Sequence, residues 1–505
     1  MVRSSGVVVA RNSLYNFLTQ VAVSFVAFVS IPFIVRRMGE EAFGLLTLIW
    51  MVVGYLSVLD FGVGQASVKY LAEQIGRGDI QKANSIVGVS VLVSFGLGLL
   101  ASCFMLLMVP LFLDHVFEVP VSLYPVALSS LQWITLAIPF IMVQGAFRAV
   151  PMALQRFDLL NLVQGAGGLL QWGGSLALIV TGHGLFEVVM LTVGIRFAGA
   201  ILSYAVAASL FPNLSIRRIS FAKDTVKQLI RFGGWLTISQ AVSPIVRYLD
   251  RLFVASYQSM RMFTFYSVPY EAVGRLQVIP LSLSTTLLPA MSERDALSEE
   301  EGGTVHILYE RGLNLVVIVL LPVSIVLGVF SHQILELWLG GDFPAHSSGV
   351  LTILAAAVFV QAVGYVPVTA LQAIGKPDIA TKFYLGEIPL YFLLCMTLIP
   401  QYGIDGAALA WLIRLLIIVP ALMYVTHKLI LKRSGGTAYG FLVRGAVVNV
   451  ALLAVLLASR LYFSDILSTV TILCAAVACY SIAVWHFCVD AKDKSILKTV
   501  FKRST

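Results

Sequence analysis

Charged residues are scarce in this sequence, and their scarcity argues against a soluble protein. Asp, Glu, Lys and Arg make up 12% of the 505 residues, about half the share found in soluble domains, whereas 59% of the residues are hydrophobic. The five cysteines form no C-x-x-C pair, and their odd number argues against both a disulfide framework and a zinc site. This composition predicts a polytopic membrane protein.

Catalytic and cofactor motifs are also missing. The chain has no G-x-x-x-x-G-K-[ST] for ATP and no H-E-x-x-H or other metal-ligand spacing among its seven histidines. Membrane enzymes can have a similar composition but usually need sizeable outer loops to hold catalytic residues, and the outer loops predicted here are short. We therefore expect a protein that is not an enzyme and has no cofactor.

Apolar runs that could cross a bilayer recur along the chain. A spanning helix needs about 20 apolar residues, and fourteen runs of about that size can be placed. They lie at 12–35, 42–66, 84–110, 124–147, 159–180, 185–209, 231–256, 263–290, 310–331, 347–371, 383–400, 405–427, 441–459 and 467–489. The sequence thus predicts an all-α polytopic membrane fold of about 14 transmembrane helices.

Basic residues are distributed unevenly between the two sides of this arrangement. With the N-terminus inside, the inner connections and both termini carry most of the Lys and Arg, and the outer side keeps only Arg36, Arg37, Arg261 and Arg460. The positive-inside rule then predicts that both termini are cytoplasmic. The same distribution accounts for the net charge of +8 without a nucleic-acid partner.

A weak internal repeat relates the two halves of the chain. Residues recur about 220 positions later; the matches are Arg11 with Arg231, Gln20 with Gln240, Phe43 with Phe263, Leu154 with Leu371, and Arg196 with Arg414. Six helices per repeat is an even number, which predicts two pseudo-symmetric six-helix lobes about an axis along the membrane normal. We expect an N-lobe at 1–220, a C-lobe at 221–433, and two further helices with a cytoplasmic tail at 434–505.

Four segments carry a resemblance to a known family. They are "RNSLYNFLTQVAVSFVAFVSIPFIVRRMGEEAFGLLTL" (11–48), "LDFGVGQASVKYLAEQIGRGD" (59–79), "LQRFDLLNLVQ" (154–164) and "YLDRLFVASY" (248–257). In this order and spacing they resemble the polysaccharide-transporter, or Wzx-type, branch of the multidrug/oligosaccharidyl-lipid/polysaccharide flippase superfamily. The resemblance covers most of the first twelve helices and implies a MATE-like fold.

The resemblance also implies a function. Families of this kind move undecaprenyl-diphosphate-linked oligosaccharides, such as O-antigen, capsule or exopolysaccharide repeat units, to the outer leaflet of the bacterial inner membrane by alternating access. We therefore expect a monomer that takes a lipid-linked oligosaccharide within the bilayer and works beside a polysaccharide polymerase and other assembly proteins. The alternatives are a multidrug or toxin cation antiporter of the same fold and a lipid II-type flippase.

Charges inside the apolar runs supply candidate site residues. An Arg in the middle of a spanning helix costs about 2.5–3.5 kcal/mol on insertion scales, so such residues normally face a cavity or a partner. The arginines are Arg196, Arg247, Arg251, Arg275 and Arg414, and the acids are Asp60, Asp250, Glu271 and Glu387. Because a guanidinium binds diphosphate oxygens bidentately, we predict that the arginines line a substrate cavity and that the acids serve coupling or gating.

Each candidate also has a structural alternative. Arg247 and Arg251 could pair with Asp250 near the interface, and the repeat-related Arg196 and Arg414 could hold helices to their lobes. Asp60 and Glu387 could serve at helix ends.

Glu271 and Arg275 break the repeat, stand in the order that favours an ion pair on one helix face, and lie between Pro269 and Pro280, which predict a kink. We expect Arg275, with Arg247 or Arg251, to receive the diphosphate and Glu271 to hold Arg275 when the site is empty. Inward movement of H⁺ or Na⁺ through Asp60 or Glu271 is a further option that the sequence does not require.

Overall fold

A computed structural model describes residues 6–56, 62–211, 246–297, 304–434, 440–462 and 466–487. These residues are almost entirely helical, and no strand occurs among them. In the first half, the helices are α1 (Gly6–Met38), α2 (Glu40–Leu56), α3 (Val63–Gly76), α4 (Ile80–His115), α5 (Tyr124–Leu136), α6 (Ile138–Ala153), α7 (Phe157–Val180) and α8 (Leu185–Leu210). In the second half, they are α9 (246–257), α10 (Met260–Gly274), α11 (Val278–Leu297), α12 (Thr304–Val329), α13 (Ser331–Trp338), α14 (Phe343–Ala373), α15 (Pro377–Ser434), α16 (Gly440–Tyr462) and α17 (Ile466–Phe487).

The helices have the length and surface of membrane spans. Within the described ranges, seven helices are long and apolar enough to cross a bilayer. Large apolar side chains point outward along them, and Leu107 on α4, for example, is 71% exposed. Such a surface suits lipid, where every backbone polar group must be satisfied within the helix. The predicted all-α polytopic membrane fold is confirmed.

One of the seven helices, α15, is two spans joined by a kink. It covers 58 residues, about 87 Å at 1.5 Å per residue, whereas the hydrocarbon core is about 30 Å thick. The break is at Gly403, whose φ of 59° and ψ of −134° are not helical and suit a residue without a Cβ. This position separates the predicted spans 383–400 and 405–427.

A second break divides the predicted span at 124–147 into α5 and α6. Pro139 has no N–H to donate to the carbonyl of Thr135, one turn earlier, so the helix cannot continue unchanged through this point. The Thr135 carbonyl instead accepts a hydrogen bond from Ser102 Oγ of α4, at 2.6 Å. The proline thus frees an acceptor that a neighbouring helix satisfies.

The eighth predicted span changes its helical form at Arg275–Gln277, near the middle of the segment in which a kink is predicted. There a single 3₁₀ turn separates α10 from α11. Pro280 removes the donor to the Leu276 carbonyl and its ring clashes with that carbonyl, so the helix tightens over these three residues. The turn carries Arg275, one of the predicted site residues.

Helix α13 was not predicted. The sequence suggests a loop at 332–346, but residues Ser331–Trp338 form a short helix that buries Ser331 and Leu335. It packs against α14. Eight residues are too few to span a bilayer, which is why a search for apolar runs passes over this helix.

The chain packs as two compact units. The first compact unit is Met1–Val268 with Cys395–Ala407, and the second is Pro269–Leu394 with Ala408–Thr505. These units follow packing, whereas the predicted lobes 1–220 and 221–433 follow the internal repeat, so the lobe boundaries stay a prediction.

Candidate functional site

The 3₁₀ turn between α10 and α11 holds a group of polar side chains. Arg275 at its start interacts electrostatically with Glu271, one turn earlier on α10. Gln277 Nε2 donates to Gln361 Oε1 of α14 at 2.7 Å, and Tyr365 OH donates to Gln277 Oε1 at 3.3 Å. The structure therefore brings together the predicted pair Glu271 and Arg275 and fixes the turn that carries them to α14.

The segment before this turn packs on α15. The ring of Tyr270 lies 5.0 Å from the ring of Trp411, centroid to centroid. Trp411 stands three residues before Arg414 on the same helix. The Glu271 segment thus lies against the helix that carries a second predicted arginine.

Arg414 is part of an internal ion pair. Its Nη1 lies 3.8 Å from Glu387 Oε1, a separation that makes an ion pair but not a direct hydrogen bond. Arg414 is 3% exposed and Glu387 is 5% exposed. The guanidinium also lies over the ring of Tyr391, 4.2 Å from its centroid. The two charges neutralise each other across the two halves of α15, an arrangement that fits the structural alternative for Arg414.

Arg196 has a different environment in the first compact unit. It lies on α8, which packs against α6. Its Nε is buried and has no hydrogen-bond partner among the described residues. The charged group that acts on it within those residues is Arg148 of α6, which is a second cation. The guanidinium of Arg196 is therefore partly desolvated and has no described carboxylate to neutralise it, a state that is costly unless an anion binds there.

The arginines of α9 have separate surroundings. Asp250 is buried and accepts a hydrogen bond from Tyr266 OH of α10 at 2.5 Å. Arg251 is buried over the ring of Tyr248, 4.5 Å from its centroid, whereas Arg247 is exposed. Asp250 is thus engaged by a tyrosine that joins α9 to α10, a partner that sequence spacing alone does not indicate.

A further contact joins α10 to α2. Arg261 Nε donates to Glu40 Oε2 at 2.5 Å, and Thr264 Oγ1 donates to the Glu40 carbonyl at 2.5 Å. A Cβ at Gly44 would overlap the carbonyl of Met260, so the two helices approach as closely as glycine allows. Glu40 and Arg261 are 221 residues apart, close to the repeat offset, so repeat-related helix ends meet here.

Sequence reasoning missed some of these groups, and one of its candidates cannot be placed. Asp60 lies outside the described residues. Arg148 falls one residue after the predicted span 124–147, so the sequence places it in an inner connection and not among the charges inside the spans. Glu40 and Arg261 could have been found from their offset, which matches the repeat.

A helical fold of apolar spans with charged side chains held inside them defines a polytopic membrane protein. The family described as polysaccharide biosynthesis protein matches residues 9–294, more than half of the sequence, and the chain belongs to this family. A Shigella flexneri protein provisionally named an O-antigen transporter is 26% identical over 418 residues, which cover 81% of this chain and 95% of the relative.

Solved structures show the same fold. The lipid II flippase MurJ in an inward closed conformation aligns with a TM-score of 0.68 and 15% identity, covering 94% of this chain and 97% of its own. An inward-facing multidrug resistance MATE transporter of the MOP superfamily aligns with a TM-score of 0.66 and 14% identity, covering 85% of this chain and 96% of its own. The predicted family resemblance and MATE-like fold are confirmed.

Proposed function

We propose that the chain is a flippase that moves an undecaprenyl-diphosphate-linked oligosaccharide from the inner to the outer leaflet of a bacterial cytoplasmic membrane. The family and the provisional name of the Shigella flexneri relative support a role in building a surface polysaccharide. Both termini are cytoplasmic in this proposal. The protein acts as a monomer that passes its product to a polymerase and other assembly proteins.

The observation that carries the proposal is the environment of Arg196. A partly desolvated guanidinium beside Arg148, without a described carboxylate near it, is suited to an anionic ligand. A diphosphate is such a ligand, because its oxygens accept the paired N–H groups of a guanidinium. Arg275, Arg247 and Arg251 stay further predicted cations of the substrate site, whereas the fifth predicted cation, Arg414, is paired with Glu387. Glu271 holds Arg275 when no substrate is bound.

Energetics favour a protein route for this substrate. Each sugar hydroxyl costs on the order of several kcal/mol to bury unpaired in an alkane-like medium, so unassisted flipping is negligible. With the cell interior negative, outward movement of an anion is downhill by about 2.3 kcal/mol per charge per 100 mV. For the two negative charges of a diphosphate at 100 mV, outward movement is therefore favoured by roughly 4–5 kcal/mol.

The same side chains disfavour export of cationic drugs. A cation site needs available carboxylates, but Glu387 faces Arg414 and Asp250 accepts from Tyr266. Glu271 lies in the field of Arg275. The three predicted acids that the structure describes are thus engaged by cations or donors.

The test uses the purified chain in proteoliposomes with a lipid-linked oligosaccharide and a leaflet-selective probe of the sugar. We expect potential-driven flipping by the wild type and flipping at least about tenfold slower in Arg196→Gln. The matched control is Arg156→Gln. Arg156 immediately precedes α7, is exposed, and pairs with Asp158 in the first turn of α7. Flipping by Arg196→Gln at the rate of the control would refute the role of Arg196, and no flipping by the wild type would refute the function.

A further inference from the structure

A cluster of ionisable side chains that no predicted role uses lies where α12 begins. His306 and Glu310 stand four residues apart on α12, so they share one face of the helix. His306 Nε2 lies 3.2 Å from Glu310 Oε1, close enough for an ion pair but without the alignment of a hydrogen bond. His306 is 4% exposed and Glu310 is 7% exposed.

A third member comes from another helix. His427 on α15 places its ring 5.9 Å from the ring of His306, centroid to centroid, and interacts electrostatically with Glu310. Unlike the other two, His427 is partly exposed. The cluster therefore has two buried groups and one that reaches the protein surface.

A further polar side chain lies on the face of α12 that carries His306 and Glu310. Asn314 stands one turn beyond Glu310 on the same face and is 9% exposed. Its Oδ1 is buried without a hydrogen-bond partner among the described residues. A buried acceptor without a donor costs about 1–3 kcal/mol, so a proton-bearing group or water at this place would be favoured.

Other titratable groups around the cluster are limited. On α12 the neighbours are Tyr309, which is buried, and Arg311, which is exposed; on α15 Lys428 is exposed. The described side chains of α11 at 278–292 include no titratable group, and those of α14 include His346 and Tyr365. The charged side chains of α11 at 293–295 lie outside the described residues. On α16 the described charged side chain is Arg460, which donates to the Val329 carbonyl at the other end of α12.

We infer that His306, Glu310 and His427 form a proton-binding site in the second compact unit and that its protonation couples transport to a pH gradient. Imidazole is the side chain that exchanges a proton near neutral pH, whereas Na⁺, a hard cation, prefers oxygen ligands. His427 takes the proton from the surface, and His306 with Glu310 holds it inside. Proton binding stands on this cluster alone, while the coupling rests on the proposed flippase function.

The first experiment measures proton binding directly. Full-length protein carrying ¹³C-labelled histidine in nanodiscs is titrated, and His306→Asn and His427→Asn assign the two resonances among those of seven histidines. We expect Glu310→Gln to shift both titration midpoints, that of His306 by about one pH unit or more, because a carboxylate at this distance perturbs an imidazole by that amount. Unchanged midpoints would overturn the proposal whatever the transport activity is.

The second experiment measures coupling in proteoliposomes with the membrane potential clamped. If one proton is coupled to each transport cycle, each unit of pH difference across the membrane should change the distribution of the oligosaccharide lipid. The ratio of lipid in the outer leaflet to lipid in the inner leaflet should rise by up to about tenfold. Glu310→Gln should lose this response and keep potential-driven flipping, and Glu310→Asp should retain it. A response of Glu310→Gln to the pH gradient equal to that of the wild type would overturn the proposed proton coupling. A wild-type response to a Na⁺ gradient in place of a pH gradient would overturn it as well.

Matched controls lie on α13. His332 and Glu336 have the same four-residue spacing but are exposed, so His332→Asn and Glu336→Gln should behave as the wild type in both experiments. If the wild type flips no lipid under either driving force, the flippase function fails, and the titration still decides whether the proton site exists.

Discussion

Arg196 and Arg414 stand at equivalent positions of the internal repeat, yet the fold gives them opposite surroundings. Arg414 is neutralised by Glu387 and covered by Tyr391. Arg196 has Arg148 beside it and no described acid. At the offset of 218 that relates Arg196 to Arg414, the positions that correspond to Glu387 and Arg148 are Leu169 and Val366. The two arginines thus differ in the partners that the fold gives them, and the different roles proposed for them rest on this difference.

The largest effect should be a loss of stability on breaking the ion pair between Arg414 and Glu387. Arg414→Ala leaves Glu387 buried without its cation, which should lower the free energy of unfolding by about 3–5 kcal/mol. Thermal or denaturant unfolding of the purified protein in detergent measures this change. The control Arg156→Ala removes an exposed pair and should cost at most about 1 kcal/mol.

A double variant sharpens the same comparison. Arg414→Leu with Glu387→Leu removes both charges and should recover most of the stability, because apolar replacement of a buried pair is often neutral. If Arg414→Ala were as stable as the exposed control, the scaffold role of this pair would be wrong.

The next effect should fall on transport rather than on stability. Arg196→Gln removes an uncompensated charge, so we expect a free energy of unfolding that is equal to or higher than that of the wild type. Loss of a charged hydrogen bond to the substrate, about 1.5–3 kcal/mol, should slow flipping roughly ten- to hundredfold. A variant that loses stability in proportion to transport would place Arg196 in the scaffold with Arg414.

Arg275 should behave like Arg196 and unlike Arg414. Arg275→Gln should slow flipping by about tenfold, as expected for one charged contact. Glu271→Gln should raise the affinity for the diphosphate lipid, measured by binding in detergent, because the competing carboxylate is gone. Unchanged affinity in Glu271→Gln would show that Glu271 does not compete with the substrate for Arg275.

The smallest effect should come from the pair that joins α2 to α10. Glu40 and Arg261 are both partly exposed, so Arg261→Gln should lower the free energy of unfolding by no more than about 1 kcal/mol. Arg77→Gln, which removes another exposed ion pair, is the matched control for the unfolding measurement. A loss as large as that of Arg414→Ala would mean that this contact also belongs to the scaffold.

Sequence patterns predicted the helices better than the partners of their charges. Apolar runs located the seven helices that are long enough to cross a bilayer among the described residues, and Pro280 indicated the turn that carries Arg275. The α5–α6 break was missed because Pro139 interrupts the backbone without interrupting the apolar run. The pairing of Glu387 with Arg414 was also missed, since the two halves of α15 meet only through the kink at Gly403. Arg148 was overlooked for a similar reason: its proximity to Arg196 depends on the packing of α6 against α8.

In the proposed function, Arg196 presents its charge to an anionic lipid-linked sugar. The decisive experiment compares potential-driven flipping of a defined oligosaccharide diphosphate lipid by wild type, Arg196→Gln and Arg156→Gln in the same proteoliposome preparation. We expect the wild type and Arg156→Gln to flip the lipid at equal rates and Arg196→Gln, folded and equally stable, to flip it at least about tenfold more slowly. Equal rates for all three proteins would contradict this role of Arg196.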